Sequence, residues 1–201
     1  LLVIEKFKIS LFADFIEKKP NSKKKYVSKV MNQGQYQPQE DYYLQLRQKL
    51  KSVFRNHSSI EELNGLLKKI NPRKFNNYET LIDQIQNFMQ GKTYAWLNPP
   101  RYKIDYSGLE LTVNPEIGLS MNGNNYFIKM YFKQETMSKT KAQIMQRIMQ
   151  DAFKKDFPNA HFAIWDIRNN AFYSQKADEE VNCPYNLKQE ALLWLKLVSE
   201  D

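Results

Sequence analysis

The 201 residues, 42% hydrophobic and 13% aromatic, hold enough apolar material for a real core in one or two small domains, which excludes a disordered chain. No apolar run is long enough to cross a bilayer, and Leu1 to Ile4 lead into Glu5 and Lys6 rather than a signal peptide's long apolar stretch, so neither a membrane partner nor export is expected. A formal charge of +8 suits an acidic partner, while one cysteine, Cys183, and two distant histidines, His57 and His161, exclude a disulfide framework and a local zinc motif and point to the cytoplasm.

The first half reads as helices. Ile9, Leu11, Phe12, Phe15 and Ile16 fall at helical spacing and stop before Pro20, and a second helix from about Ser22 to Met31 ends at Gly34. A polar turn from Gln33 to Gln39 leads to Asp41, which is placed to cap a helix with Tyr43, Leu44, Leu46, Leu50, Val53 and Phe54 on its apolar face. Ser59 and Glu62 form a capping box for a short helix carrying Leu63, Leu66, Leu67 and Ile70, and Pro72 ends it. A fifth helix, from about Asn77 to Met89, closes at Gly91.

Around Asn98, Pro99 and Pro100 the apolar period changes from near 3.6 to near 2, so residues 1–98 are read as a basic helical module and residues 99–201 as an α+β module. Arg101 to Tyr106 and Leu109 to Val113 read as short strands, and Asn122-Gly123-Asn124 as a tight turn before a strand from Tyr126 to Lys133. A helix from Ser138 to about Lys155, strands His161 to Ile167 and Ala171 to Ser174, and a terminal helix Leu187 to Val198 complete a β-β-α-β-β-α order with a mixed sheet.

Charge is divided unevenly between the halves. Residues 1–98 carry 17 Lys/Arg against 9 Asp/Glu, whereas residues 99–201 carry 13 of each. The densest patch, Lys18, Lys19, Lys23, Lys24, Lys25 and Lys29, is suited to several phosphate contacts of the kind that dominate non-specific nucleic-acid binding. An ordinary solvated lysine face is the other reading. Tyr36, Tyr42 and Tyr43 lie close by in sequence, either to stack bases or to pack a core.

In the strand after the turn, Phe127, Lys129, Tyr131 and Lys133 share one face. A lysine within an apolar strand is costly unless paired, and Glu116 and Asp166 lie on neighbouring strands. Either these groups form a structural salt bridge, or the carboxylates hold Mg²⁺ while the lysine orients water or stabilises charge at phosphate.

Asn114-Pro115-Glu116 and Phe127-Ile128-Lys129, followed by a helix and a further strand, resemble the core of the PD-(D/E)XK nucleases, the restriction-endonuclease-like fold, over Leu109 to Ile167. The resemblance implies a nuclease-like core, Mg²⁺-dependent phosphodiester cleavage of DNA or RNA, Lys129, Glu116 and Asp166 as catalytic residues, and Glu116 and Asp166 as metal ligands. The pattern departs at Phe127, where that superfamily has a second acid and where a phenyl ring cannot ligate metal. Variants in the superfamily imply relocated acids, for which Glu110, Glu62 and Asp166 are the candidates. His161 and Cys183 lack the partners of a general base or a catalytic thiol. Two functions stand at this stage: a nucleic-acid-binding protein with a nuclease-like domain, or a non-enzymatic scaffold that docks another protein.

Overall fold

A computed structural model describes residues 7–33 and 37–200; the expectations for Leu1 to Ile4, Gly34 and Tyr36 lie outside the described residues. Helices α1 (Ile9–Ile16), α2 (Pro20–Met31), α3 (Leu44–Arg55), the one-turn α4 (Asn64–Leu67) and α5 (Phe75–Met89) come first. They are followed by β1 (Tyr94–Leu97), β2 (Tyr102–Tyr106), β3 (Leu109–Val113), β4 (Ile117–Met121), β5 (Asn124–Tyr131), α6 (Lys139–Phe153), β6 (Ala160–Asp166), β7 (Ala171–Lys176) and α7 (Leu187–Ser199). The chain is therefore α+β, with the helices leading. Among the described residues no helix is long and apolar enough to cross a membrane.

Five strands form one mixed sheet in the order β1-β4-β5-β6-β7, and β2 pairs with β3 in a separate two-stranded sheet. The turn at Asn122-Gly123 joins β4 to β5. Both turn residues have positive φ, 50° and 79°, and Met121 faces Asn124 across the loop, the mirror-type turn whose twist matches that of the strands. β5 and β6 run parallel, connected through α6, and every other pair in the sheet is antiparallel.

Alternate residues of the sheet feed two cores. Phe127 and Tyr131 of β5, with Phe162 and Ile164 of β6, pack against α1, α2, α6, α7 and the β2-β3 pair. Ile128, Met130, Ala163 and Trp165 pack on the other side against α3 and α5. Residues before and after Asn98 contribute to both cores, and the first strand of the main sheet, β1, ends before it, so the change from helix to strand falls ahead of Asn98 and the packing continues across it.

Caps and amides fix α6. The Ser138 hydroxyl accepts from the Lys141 amide at 2.9 Å. The buried Gln146 donates to the Phe162 carbonyl at 3.3 Å and Gln150 to the Ala177 carbonyl at 2.9 Å, tying the helix to the sheet. Ser59 and Glu62 behave differently from the expected capping box: a 3-10 segment, Ile60–Leu63, leads into the single turn of α4, and the Ser59 hydroxyl donates to Glu61.

Gly118 of β4 sits opposite Leu97 of β1. A Cβ there would lie 2.4 Å from the Leu97 carbonyl oxygen, a backbone atom with no freedom to turn away. Replacing Gly118 with Ala is expected to push the edge strand outward and cost about 1–3 kcal/mol, read as a lower urea midpoint; an unchanged midpoint would show that β1 does not depend on this close approach.

Candidate functional site

The polar centre of the molecule lies at the start of β4, where the chain leaves β3 through Asn114, Pro115 and Glu116. Lys129 is 6% exposed in the middle of β5, facing Ile164 of β6 in the ladder. Its ammonium turns toward β4: Nζ donates to Glu116 Oε1, to the Asn114 carbonyl at 3.1 Å and to Asn114 Oδ1 at 3.4 Å. The second carboxylate oxygen of Glu116 accepts from the Met130 amide at 2.9 Å, while the Glu116 amide donates to the Ile128 carbonyl at 3.0 Å. Glu116 thus extends the β4-β5 ladder by one residue and neutralises the lysine in the same act.

Asp166 lies on the other side of β5 and does not join this pair. It is fully buried and sits opposite Tyr131 in the β5-β6 ladder. Its carboxylate accepts from the Met137 amide at 2.9 Å and from the Asn169 side-chain amide at 3.0 and 2.9 Å. These bonds hold together the approach to α6 and the β6-β7 turn, a bracing role for a buried carboxylate.

Phe127, where the resemblance leads one to expect a second acid, is 3% exposed and packs edge-on against Phe157 with ring centroids 4.8 Å apart. Glu110 and Glu62 do not replace it. Glu110 pairs with Lys103 at 2.6 Å in the two-stranded sheet, and Glu62 pairs with Lys49 at 2.7 Å beside α3. Among the described residues no group of three or more His, Cys, Asp or Glu side chains is placed to hold a metal ion. Glu116 and Asp166, each committed to separate donors, do not fit a shared Mg²⁺.

Two further charge clusters escape the sequence reading. Lys8, next to Thr112 of β3, has its ammonium held below the ordinary lysine value by desolvation and then by repulsion from Lys129 and Arg47; Asp41 and Glu116 oppose the shift. Lys8, just ahead of α1, therefore feels both the Glu116-Lys129 pair and Arg47 of α3, which is bound to Asp41 at 2.6 Å. The second cluster joins Asp14 of α1 to the buried Lys141 of α6 and to Lys133, the latter at 3.3 Å. Lys141 lies over the Tyr131 ring at 5.2 Å from its centroid. Burial, followed by Glu135, Asp14, Asp166 and Glu17, raises the Tyr131 phenol well above its usual value. No motif spacing links these positions, because they come from three elements far apart in the chain.

The lysine patch divides. Lys18, Lys19, Lys24, Lys25 and Lys29 are exposed, whereas Lys23 is 7% exposed and pairs with Glu190 of α7, its ammonium 4.6 Å from the Phe15 ring centroid. Lys23 is thus part of the α1-α2-α7 packing. Tyr42 and Tyr43 belong to the core on the opposite face of the sheet: Tyr43 stacks on Phe132 at 5.3 Å and Tyr42 meets Tyr78 at 6.0 Å.

His161 is lowered below the ordinary histidine value, first by burial and then by Lys176, and its Nδ1 is 3.2 Å from the Ser174 hydroxyl. Burial pushes the Cys183 thiol up, the opposite of what an activated thiolate needs. No protein-family model matches the chain, and no curated protein matches it.

Lys129→Met tests the pair directly. Leaving Glu116 without its cation is expected to cost about 3 kcal/mol or more in urea unfolding, and adding Glu116→Gln is expected to recover part of that loss. A single-variant loss within about 0.5 kcal/mol, the range of ordinary surface changes, would show that the ammonium is not a structural requirement.

Proposed function

We propose that this chain is a nucleic-acid-binding protein built on a nuclease-like core that holds a strand without cutting it. The observation that carries the reading is the exposed row on α2: Lys24, Lys25 and Lys29 face solvent and make no ion pair among the described residues, with Lys18 and Lys19 just ahead of them. Cations presented this way exchange their counterions for phosphates and give affinity without sequence preference.

Support for the nuclease-like part comes from topology. An antiparallel hairpin, β4-β5, leads through α6 into the parallel strand β6, and the acid-lysine pair sits at the hairpin's open end. Binding is favoured over cleavage because Phe127 is packed in the core and both carboxylates are engaged. A second reading, a protein-docking scaffold, has one observation in its favour: Leu192 and Leu193 of α7 are 53% and 37% exposed.

Titration of labelled single- and double-stranded oligonucleotides at several salt concentrations separates these readings. The triple variant Lys24→Gln, Lys25→Gln, Lys29→Gln is expected to reduce the salt slope on duplex DNA by about 2 to 3, one unit per lost phosphate contact, with folding intact. Lys23 is left unchanged because its loss would strand Glu190. An unchanged slope and affinity would remove α2 from the interface, and no binding at low salt would favour the scaffold.

A further inference from the structure

On the face of the sheet opposite α2, the outer side of α3 and the edge strand β1 border an open groove of about 510 Å³, a size suited to a small ligand. Lys51 and Arg55 line it from α3, Asn56 stands at the helix end, and Trp96 and Asn98 line it from β1 and the residue after it. No acidic residue contributes to the lining.

The charge pattern of α3 singles out this groove. Of the four cations on the helix, Arg47 is neutralised by Asp41 and Lys49 by Glu62. Lys51 and Arg55 form no ion pair among the described residues, and both line the groove. They lie one helical turn apart, about 5–6 Å between Cβ atoms, where like charges repel unless an anion sits between them. Trp96 packs against the second core and its indole N–H donates to Asn98 Oδ1 at 3.1 Å. That bond anchors the ring and uses its only donor, leaving a flat aromatic surface.

We propose that the groove binds a nucleoside monophosphate unit, with the base stacked on Trp96 and the phosphate held between Lys51 and Arg55. Stacking on an indole tolerates any base, and two cations one turn apart match one phosphate better than a dispersed acidic surface. The unit is either a free nucleotide or one residue of a single strand. The proposal does not depend on the α2 lysines, which lie on the other face.

Trp165 and Trp194 are 1% and 0% exposed, so quenching of tryptophan emission by a stacking ligand reports on Trp96. Adenosine 5′-monophosphate is expected to quench the folded full chain saturably, with adenosine about tenfold weaker or worse. Lys51→Gln with Arg55→Gln should weaken the nucleotide by about tenfold or more, and Trp96→Phe should abolish the signal, both with unaltered circular dichroism. The α2 triple variant should leave the nucleotide titration unchanged. Oligothymidylate identifies the source: saturation at far lower nucleotide concentration assigns a strand, and equal saturation assigns a free nucleotide. No saturable quenching by either ligand would overturn the site, as would a half-saturation point unaffected by loss of Lys51 and Arg55 or shifted by the α2 variant.

Discussion

A lysine ammonium buried in a sheet has to be neutralised within reach of its own side chain, and among the described residues Lys129 meets that requirement through Glu116. The two side chains are 8% and 17% exposed, a degree of burial at which an unpaired charge costs several kcal/mol. Glu116 accepts from Lys129 with one oxygen and from the Met130 amide with the other, so the carboxylate fixes where β4 begins relative to β5. Once that register is set, Gly118 falls opposite Leu97, the edge strand β1 is brought in, and the floor for α3 is complete.

The same pair explains why the centre of this fold is poorly suited to metal chemistry. Divalent cations need carboxylate oxygens that converge from neighbouring strands. Here Glu116 is occupied on the β4 side of β5, Asp166 is occupied on the β6 side by Met137 and Asn169, and Phe127 fills the expected acid position with an aromatic contact. The arrangement braces the sheet.

Much of the fold was legible because local signals agreed with the packing. The spacing from Ile9 to Ile16 defined α1, the apolar spacing after Ser138 defined α6, and Asn122-Gly123 specified a tight turn. Two strands were not legible. β1 is four residues long at a sheet edge, and β4 carries Gly118 and Ser120 among its apolar residues, so neither gives a clear period of two. Without β4, the tight turn at Asn122-Gly123 has no strand assigned on its near side. At the site, Lys129 stood out by its cost in an apolar strand and Glu116 was a nearby acid, whereas Asp166 faces the same core yet serves the chain segments beside it. Lys8 and Arg47 carried no signal, since only the tertiary fold brings the residue ahead of α1 and the helix α3 to the start of β4. Lys23 read as one of a solvated row, and only the docking of α7 separates it from its neighbours.

Positive charge that forms no ion pair among the described residues, on α2 and on the groove side of α3, frames a centre in which Lys129 is matched by Glu116. The most direct test is to incubate end-labelled single- and double-stranded oligonucleotides with the full chain at low salt, with Mg²⁺ and with Mn²⁺, and to resolve complexes and products in parallel. A salt-sensitive complex with the label still on full-length strand is the predicted result. Metal-dependent cleavage that disappears in a folded Lys129→Met variant would contradict it.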